Sequence, residues 1–431
     1  MGETSAELPH IAPAPAPAPE PGTASAPSYR RTLAKRPFFL LWSSQLISQS
    51  GDFVFDVALL WLVLEVTGSI EAVTIVVVAA TVPIVALGPF LGVYVDRWPR
   101  RTILIGTNLA EGALVAGLSA AVLAHDANLL LIVAVVFALG VGQQFVRVTS
   151  QALVPQTVGV ADLGAANGLM TFSGSTIQIA GLAIGGVVVA LLGPTLPIAY
   201  DAISFFAAAA IVTAMSAMVG RPAPSEGAAT GFLAQFREGF QYIAHQPFML
   251  QVISIGLVTN FAGNAVFALW APYAKFVLHG GAATYGFLGA MIALGSIVGA
   301  LAVGKLNIRS IAGPVIFAGL FAVGGLIIAL GLTHSVPFAI AEALGVGVAV
   351  AAINVPLLTV VQGRVPPQLM GRAMSVLLSL ILLASPIGAY LAGVIAEATS
   401  ISFLYLLMGG LVVGVAAVGL AVMGEVRRIT Y

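Results

Sequence analysis

From Phe38 onward the chain alternates apolar runs of about twenty residues with short polar breaks. Each run is long enough to cross the hydrocarbon core of a bilayer as a helix. Twelve are expected, at 39–64, 72–92, 102–124, 129–152, 165–191, 195–219, 248–276, 284–304, 312–333, 337–361, 374–396 and 401–423. The basic residues fall at 30–36, 97–101, 147, 221, 237, 305–309, 364–372 and 427–428. Each group precedes the first run, follows an even-numbered one or follows the last. Sixteen of the seventeen Lys and Arg residues obey this pattern, and Lys275 is the exception. Because basic loops stay on the cytoplasmic side, the pattern predicts a multi-pass protein of the cell membrane with both termini cytoplasmic.

The longest polar gap, Gly220 to Gln246, divides the runs six and six. The expected organisation is a disordered cytoplasmic tail (1–37), a six-helix bundle (38–220), a linker with an amphipathic helix (221–247), a second six-helix bundle (248–424) and a short cytoplasmic tail (425–431). The first 29 residues are low-complexity, with a Pro-Ala alternation from Ala12 to Pro19, and cannot build a core. They lack the basic start and apolar stretch of a signal peptide. In the linker, Phe232, Phe236, Phe240 and Ile243 recur at helical spacing opposite Arg237 and Glu238, which predicts a helix lying on the inner leaflet or on the bundle. The halves read as a repeat. Arg36-Pro37-Phe38 returns as Gln246-Pro247-Phe248, and Val154-Pro155 as Val365-Pro366, about 210 residues later each time. Parallel six-helix repeats place a substrate path between the halves near the midplane.

Composition narrows the chemistry. The chain is 59% hydrophobic and 8% charged, with zero net charge, so no nucleic-acid partner is expected. It has no Cys, which removes disulfides and thiolate chemistry, and its five His residues are scattered. No metal, cofactor or enzymatic constellation is expected. Gly299-Ala-Leu-Ala-Val-Gly304-Lys305-Leu306 is one residue from a phosphate-binding loop. Leu306 replaces the hydroxyl residue and no strand precedes it, so it predicts no nucleotide site.

The loop after the second run reads Gly92-Val-Tyr-Val-Asp96-Arg97-Trp-Pro-Arg100-Arg101. It resembles the loop 2–3 signature of the major facilitator superfamily, with Pro99 in place of the second glycine. The resemblance implies a conformational latch built from Gly92, Asp96, Arg97, Arg100 and Arg101. The corresponding Gly304-Lys305-Leu-Asn-Ile308-Arg309 lacks the acid. Further segments resemble the macrolide-efflux and enterobactin-exporter-like branch: Gln45 to Asp52, Ala58-Leu-Leu-Trp61, Thr67-Gly68-Ser69, Tyr200-Asp201-Ala-Ile-Ser204 and the stretch from Arg237. The resemblance covers roughly 30–424 and implies an all-α fold of twelve transmembrane helices in two six-helix halves. Gly181-Leu-Ala-Ile-Gly185-Gly186 resembles the Gly-Pro-x-x-Gly-Gly element of antiporters, with Leu182 replacing the proline. Gly88/Gly92, Gly181/Gly185, Gly295/Gly299 and Gly410/Gly414 predict close helix packing.

Acids inside apolar spans need a reason, since each costs at least ~2.5 kcal/mol to insert. Asp52, Asp56, Glu111, Asp201 and Glu342 are the candidates for proton coupling. Asp52 and Asp56 share a helix face with Gln45 and Gln49, so that face is expected to line a wet cavity, with Asp56 the leading candidate. Glu111 can pair with Arg97 or serve as a cavity acid, and a structural role is the expected one. An outer ion pair is expected among Asp201, Glu342 and Lys275. Gln45, Gln49, Arg147, Asn260, Asn264 and Asn354 are candidate substrate contacts. The expected function is proton-coupled export of a small amphipathic or drug-like molecule by a monomer whose halves alternate access. A dedicated exporter of one metabolite, such as a siderophore or lysolipid, and a non-transporting sensor or scaffold are the alternatives.

Overall fold

In the computed structural model the described residues are 29–95, 98–216, 232–305, 311–366 and 368–427, with side chains at 88–90, 92–94, 160 and 232–235 left aside. Asp96, Arg97, Ile308 and Arg309, together with most of the low-complexity tail and the first part of the linker, lie outside them. Twelve helices in the described residues are long and apolar enough to cross a membrane. In the first half they are α2 (Arg36–Thr67), α3 (Ile70–Val95), α4 (Arg100–Leu123), α5 (Leu129–Val158), α6 (Leu163–Leu192) and α7 (Thr195–Thr213). In the second half they are α9 (Pro247–Ala268), α11 (Ala282–Lys305), α12 (Ala312–Leu332), α13 (Val336–Arg364), α14 (Met370–Ala398) and α15 (Ile401–Val422). Short helices α1 (Tyr29–Ala34), α8 (Phe232–Ala244), α10 (Trp270–Pro272) and α16 (Gly424–Arg427) complete the set.

The repeat has a structural cause. Both halves open with proline in the first turn, at α2 and α9, where its missing N–H is harmless and its φ suits a helix. Phe38 and Phe248, one residue on, are buried. Side-chain caps start other spans: Asn128 accepts from the Leu131 N–H (3.0 Å) and Ser400 from that of Phe403 (3.1 Å).

The seventh span departs from the expected continuous helix. It breaks at Leu269, re-forms as α10 and ends in one π-helical turn, Tyr273–Val277. Pro272 cannot donate a hydrogen bond to the preceding turn. The Tyr273 hydroxyl bonds the Leu330 and Thr333 carbonyls at 2.7 and 3.2 Å, which fixes the unwound end to the neighbouring helix. The π turn delivers Lys275 to the other half. Its ammonium donates to the Leu64 carbonyl (3.2 Å) in the last turn of α2 and stands 5.7 Å from the Trp61 ring centroid. A cation at a helix C-terminus contributes about 0.3–1 kcal/mol. This contact explains the one basic residue that departs from the charge pattern. Lys275→Met is expected to lower the share of molecules closed on this face by up to about fivefold, read as the distance between spin labels on the two halves.

Residues 29–37 do not belong to a disordered tail. α1 lies against α6, with the Tyr29 ring beside Gly168. Arg31 pairs with Asp162, and Lys35 pairs with the same carboxylate at 2.8 Å and donates to the Val158 carbonyl. The Arg31 hydrogen bond, then that of Lys35, holds the Asp162 carboxyl below its ordinary value of 3.8. A depressed carboxyl stabilises the fold above its unfolded value, and that stabilisation is lost as pH falls through the folded one. Asp162→Asn is therefore expected to lower the melting temperature at pH 7, with the difference from wild type closing below about pH 4.

α8 rests on the bundle. Ile243 is buried, Glu238 pairs with Arg372 of α14 at 2.5 Å, and a Cβ on Gly239 would stand 2.6 Å from the Arg372 carbonyl. Phe240, expected on the apolar face, points outward. Of the small-residue pairs, Gly181/Gly185 face Phe53 and Val54 of α2, and Gly295/Gly299 face the Leu344 and Val348 carbonyls of α13. Gly410 and Gly414 have nothing within 4 Å, so that pair makes no helix contact.

The halves meet chiefly through α6 with α11 and α3 with α14. These contacts concentrate on the face away from the chain termini. A Cβ on Gly186 would lie 2.8 Å from the Ala282 carbonyl, one on Gly286 2.2 Å from the Leu182 carbonyl, and one on Gly393 2.0 Å from the Thr74 hydroxyl. The Glu397 carboxylate accepts from the Glu71 N–H on the same face (3.4 Å).

Candidate functional site

Between the halves lies a chamber of about 990 Å³. α2, α3, α5 and α6 wall it on one side, with α11 and Phe267 of α9 on the other. It is closed on the face away from the termini by the glycine contacts and Lys275. On the terminal face it reaches Phe172 and Leu301, two lining residues that are strongly exposed. The structure is thus open on the face that carries the chain termini.

The lining is chemically one-sided. The first half supplies Asp56, Gln143, Asn167, Thr171, Ser175 and Gln178. The second half supplies mostly apolar groups, such as Ile292, Ile297 and Leu301, with Tyr285 and Ser296 among them. Asp56 is the only charged side chain among the described lining residues, and it is exposed to the chamber.

Asp52, one turn before Asp56, is half-buried and accepts from the Gln143 amide at 3.4 Å. Glu111 is 2% exposed; its carboxyl lies against Gly142 of α5, where a Cβ would come within 2.5 Å, and neither oxygen has a hydrogen-bond partner. Asp201 is fully buried against Gly51 of α2. One oxygen accepts from the Ser204 hydroxyl (3.2 Å) and the other has no partner. Glu342 accepts from the Thr333 hydroxyl (2.8 Å) in the second half. The expected ion pair among Asp201, Glu342 and Lys275 does not form: Asp201 bonds Ser204 of its own helix, Glu342 bonds Thr333, and Lys275 crosses to the Leu64 carbonyl of the other half.

None of the six expected substrate contacts lines the chamber. The Gln45 amide is buried and donates to Ser150 of α5 (3.1 Å), so it holds helices together. Gln49 faces Gly174 of α6. Asn260 bonds the carbonyl of Gly256 in its own helix (3.0 Å), and Asn264 donates to Ser385 of α14 (3.0 Å). Arg147 and Asn354 are exposed but outside the chamber lining. Of the latch residues, Gly92 lies in α3 and Arg100 and Arg101 open α4. Arg101 donates to the Thr213 carbonyl (2.6 Å) at the end of α7, a contact within one half. Asn167, Thr171, Ser175 and Gln178 escaped the sequence reading, although spacings of four, four and three mark one face of a helix.

Two six-helix halves around a central chamber form the major facilitator fold. Residues 28–428 match the family model of transmembrane secretion effectors, and the chain belongs to that family. It is a membrane transporter, not an enzyme. It is similar to macrolide efflux protein A of Streptococcus pyogenes, 23% identical over 92% of this chain and 98% of that protein. It is also similar to the multidrug efflux pump Tap of Mycobacterium tuberculosis, 26% identical over 92% of this chain and 96% of that one. Among solved structures, a mutant of the nucleoside transporter NupG superposes with a TM-score of 0.70 at 11% identity, covering 90% of this chain and 99% of that one. That likeness concerns the fold alone.

Proposed function

We propose that this protein exports small amphipathic cations from the cytoplasm in exchange for protons, its two halves alternating access to the chamber. The observation that carries the reading is Asp56, the one carboxylate among the described lining residues, facing an apolar wall in a chamber of about 990 Å³. A cationic head meets Asp56 and the amides of Gln143 and Gln178, while an apolar body lies along α11. Relatives named for macrolide and multidrug efflux support the outward direction. An anionic siderophore finds no basic group among the described lining residues. The basic-residue pattern supports cytoplasmic termini; on this reading the present state is inward-open, in the cell membrane, with one copy of the chain forming the chamber.

The test is an efflux panel in cells stripped of their own exporters. Expression is expected to lower accumulation of lipophilic cations more than of neutral or anionic compounds of equal size, and an uncoupler to abolish the difference. Equal efflux of all three charge classes contradicts the reading of the chamber. Efflux that survives the uncoupler contradicts proton coupling.

A further inference from the structure

We propose that the coupling proton is held at Glu111 and Asp201, behind the wall of the substrate chamber, and that the substrate's charge displaces it through Asp52. This rests on the proton-exchange reading above and assigns it a place. None of the three acids lines the chamber.

Glu111 belongs to α4 and Asp201 to α7, two helices that pack on each other behind α2 and α5. Both carboxyls pack directly on a glycine: Gly142 opposite Glu111 and Gly51 opposite Asp201. A Cβ at either position would force the acid side chain to shift. The backbone thus makes room for groups the bilayer disfavours. Glu111 Oε1 and Oε2 and Asp201 Oδ2 are buried without a partner. Ionised, Glu111 has no donor and Asp201 only the Ser204 hydroxyl on one oxygen to offset desolvation, whereas a bound proton removes the charge.

From α2, Asp52 and Asp56 act electrostatically on Asp201, and Asp52 on Glu111. α5 offers the neutral Gly142 and Gln143 there, with the exposed Arg147 one turn further toward the terminal face. α7 adds the Ser204 hydroxyl, bonded to Asp201. A cation at Asp56 supplies the missing counter-charge, and the site can then release its proton.

The link to the chamber is short. Gln143 lines the chamber and bonds Asp52 (3.4 Å). Asp52 follows Gly51, against which Asp201 packs, and Gln143 follows Gly142, against which Glu111 packs. A proton leaving Glu111 or Asp201 therefore passes by Asp52 and Gln143 into the chamber mouth. The exchange balances as one proton released for each monovalent cation bound.

The experiment measures proton release from purified wild-type protein, with a pH-indicator dye, on addition of the lipophilic cation tetraphenylphosphonium. Wild type is expected to release a proton on binding. The double substitution Glu111→Gln, Asp201→Asn is expected to bind tetraphenylphosphonium within about threefold of wild type, to lose the proton release, and to carry the probe downhill but not against a gradient. Infrared difference spectra of wild type on binding should lose the carbonyl band of a protonated carboxyl, and Glu111→Asp should shift that band even where the double variant does not fold. Undiminished release by the double variant, or a band unmoved by Glu111→Asp, overturns the assignment. If wild type binds the probe and releases no proton, the proton-exchange reading itself fails, a separate outcome.

Discussion

Gly286→Leu is expected to reach the membrane folded and to transport almost nothing. Gly286 lies in α11 directly against α6, and its Cβ would fall 2.2 Å from the Leu182 carbonyl and 2.8 Å from the Gly186 Cα. These are backbone atoms in the middle of helices, so no rotamer change relieves the collision. The contact joins the two halves, so each six-helix bundle keeps its own packing. The substitution penalises only the state in which this face is closed. Overpacking of this kind costs about 1–3 kcal/mol, which reduces that state by about 5- to 150-fold. Gly414→Leu is the control: nothing lies within 4 Å of its Cβ, and wild-type transport is expected. Substrate flux in proteoliposomes, with chromatography to establish folding, separates the two variants. Full flux in Gly286→Leu would show that close approach of α6 and α11 is not part of the cycle.

Asp56→Asn is expected to weaken lipophilic-cation transport by about 10- to 100-fold in KM and to leave neutral compounds of the same shape within about twofold. A hydrogen bond to a charged group is worth about 1.5–3 kcal/mol, and each 1.4 kcal/mol is tenfold. The amide keeps the volume of the carboxylate and loses its charge. Asp56 is the only charge among the described lining residues, so no second acid in the chamber compensates. An equal loss for charged and neutral substrates would assign Asp56 to the cycle rather than to recognition.

The fold is legible in the sequence because membrane insertion follows simple rules. Run length sets the spans and basic residues set the alternation, so the expected 312–333 and 401–423 differ little from α12 and α15. Pro37 and Pro247 announce the repeat because proline is confined to the first turn or to kinks. The seventh span was less legible, since its break at Leu269 depends on a tertiary anchor, Tyr273 bonding the Leu330 carbonyl. The site was legible in type but not in membership. Gln45, Asn260 and Asn264 are polar residues in spans, and so are Gln143 and Gln178. Packing alone decides that the first three join helices and the last two face the chamber. Helical phase carried part of the answer, since Asn167, Thr171, Ser175 and Gln178 share one face of α6. The acids were visible one by one, but their division between chamber and buried recess rests on Gly51 and Gly142, whose meaning appears only when α7 and α4 pack on them.

The chain has no cysteine, so an introduced pair carries the only labels. The most direct measurement of alternating access is pulsed electron resonance on two double-cysteine variants. One pair, Phe172→Cys with Leu301→Cys, spans the open mouth on the terminal face; the other, Val66→Cys with Thr399→Cys, spans the closed face. Adding tetraphenylphosphonium under an acid-outside pH gradient is expected to populate shorter distances for the first pair and longer ones for the second, in matching proportion. Distances that stay fixed, or that lengthen at both faces together, contradict a cycle in which the two halves expose the chamber to one side at a time.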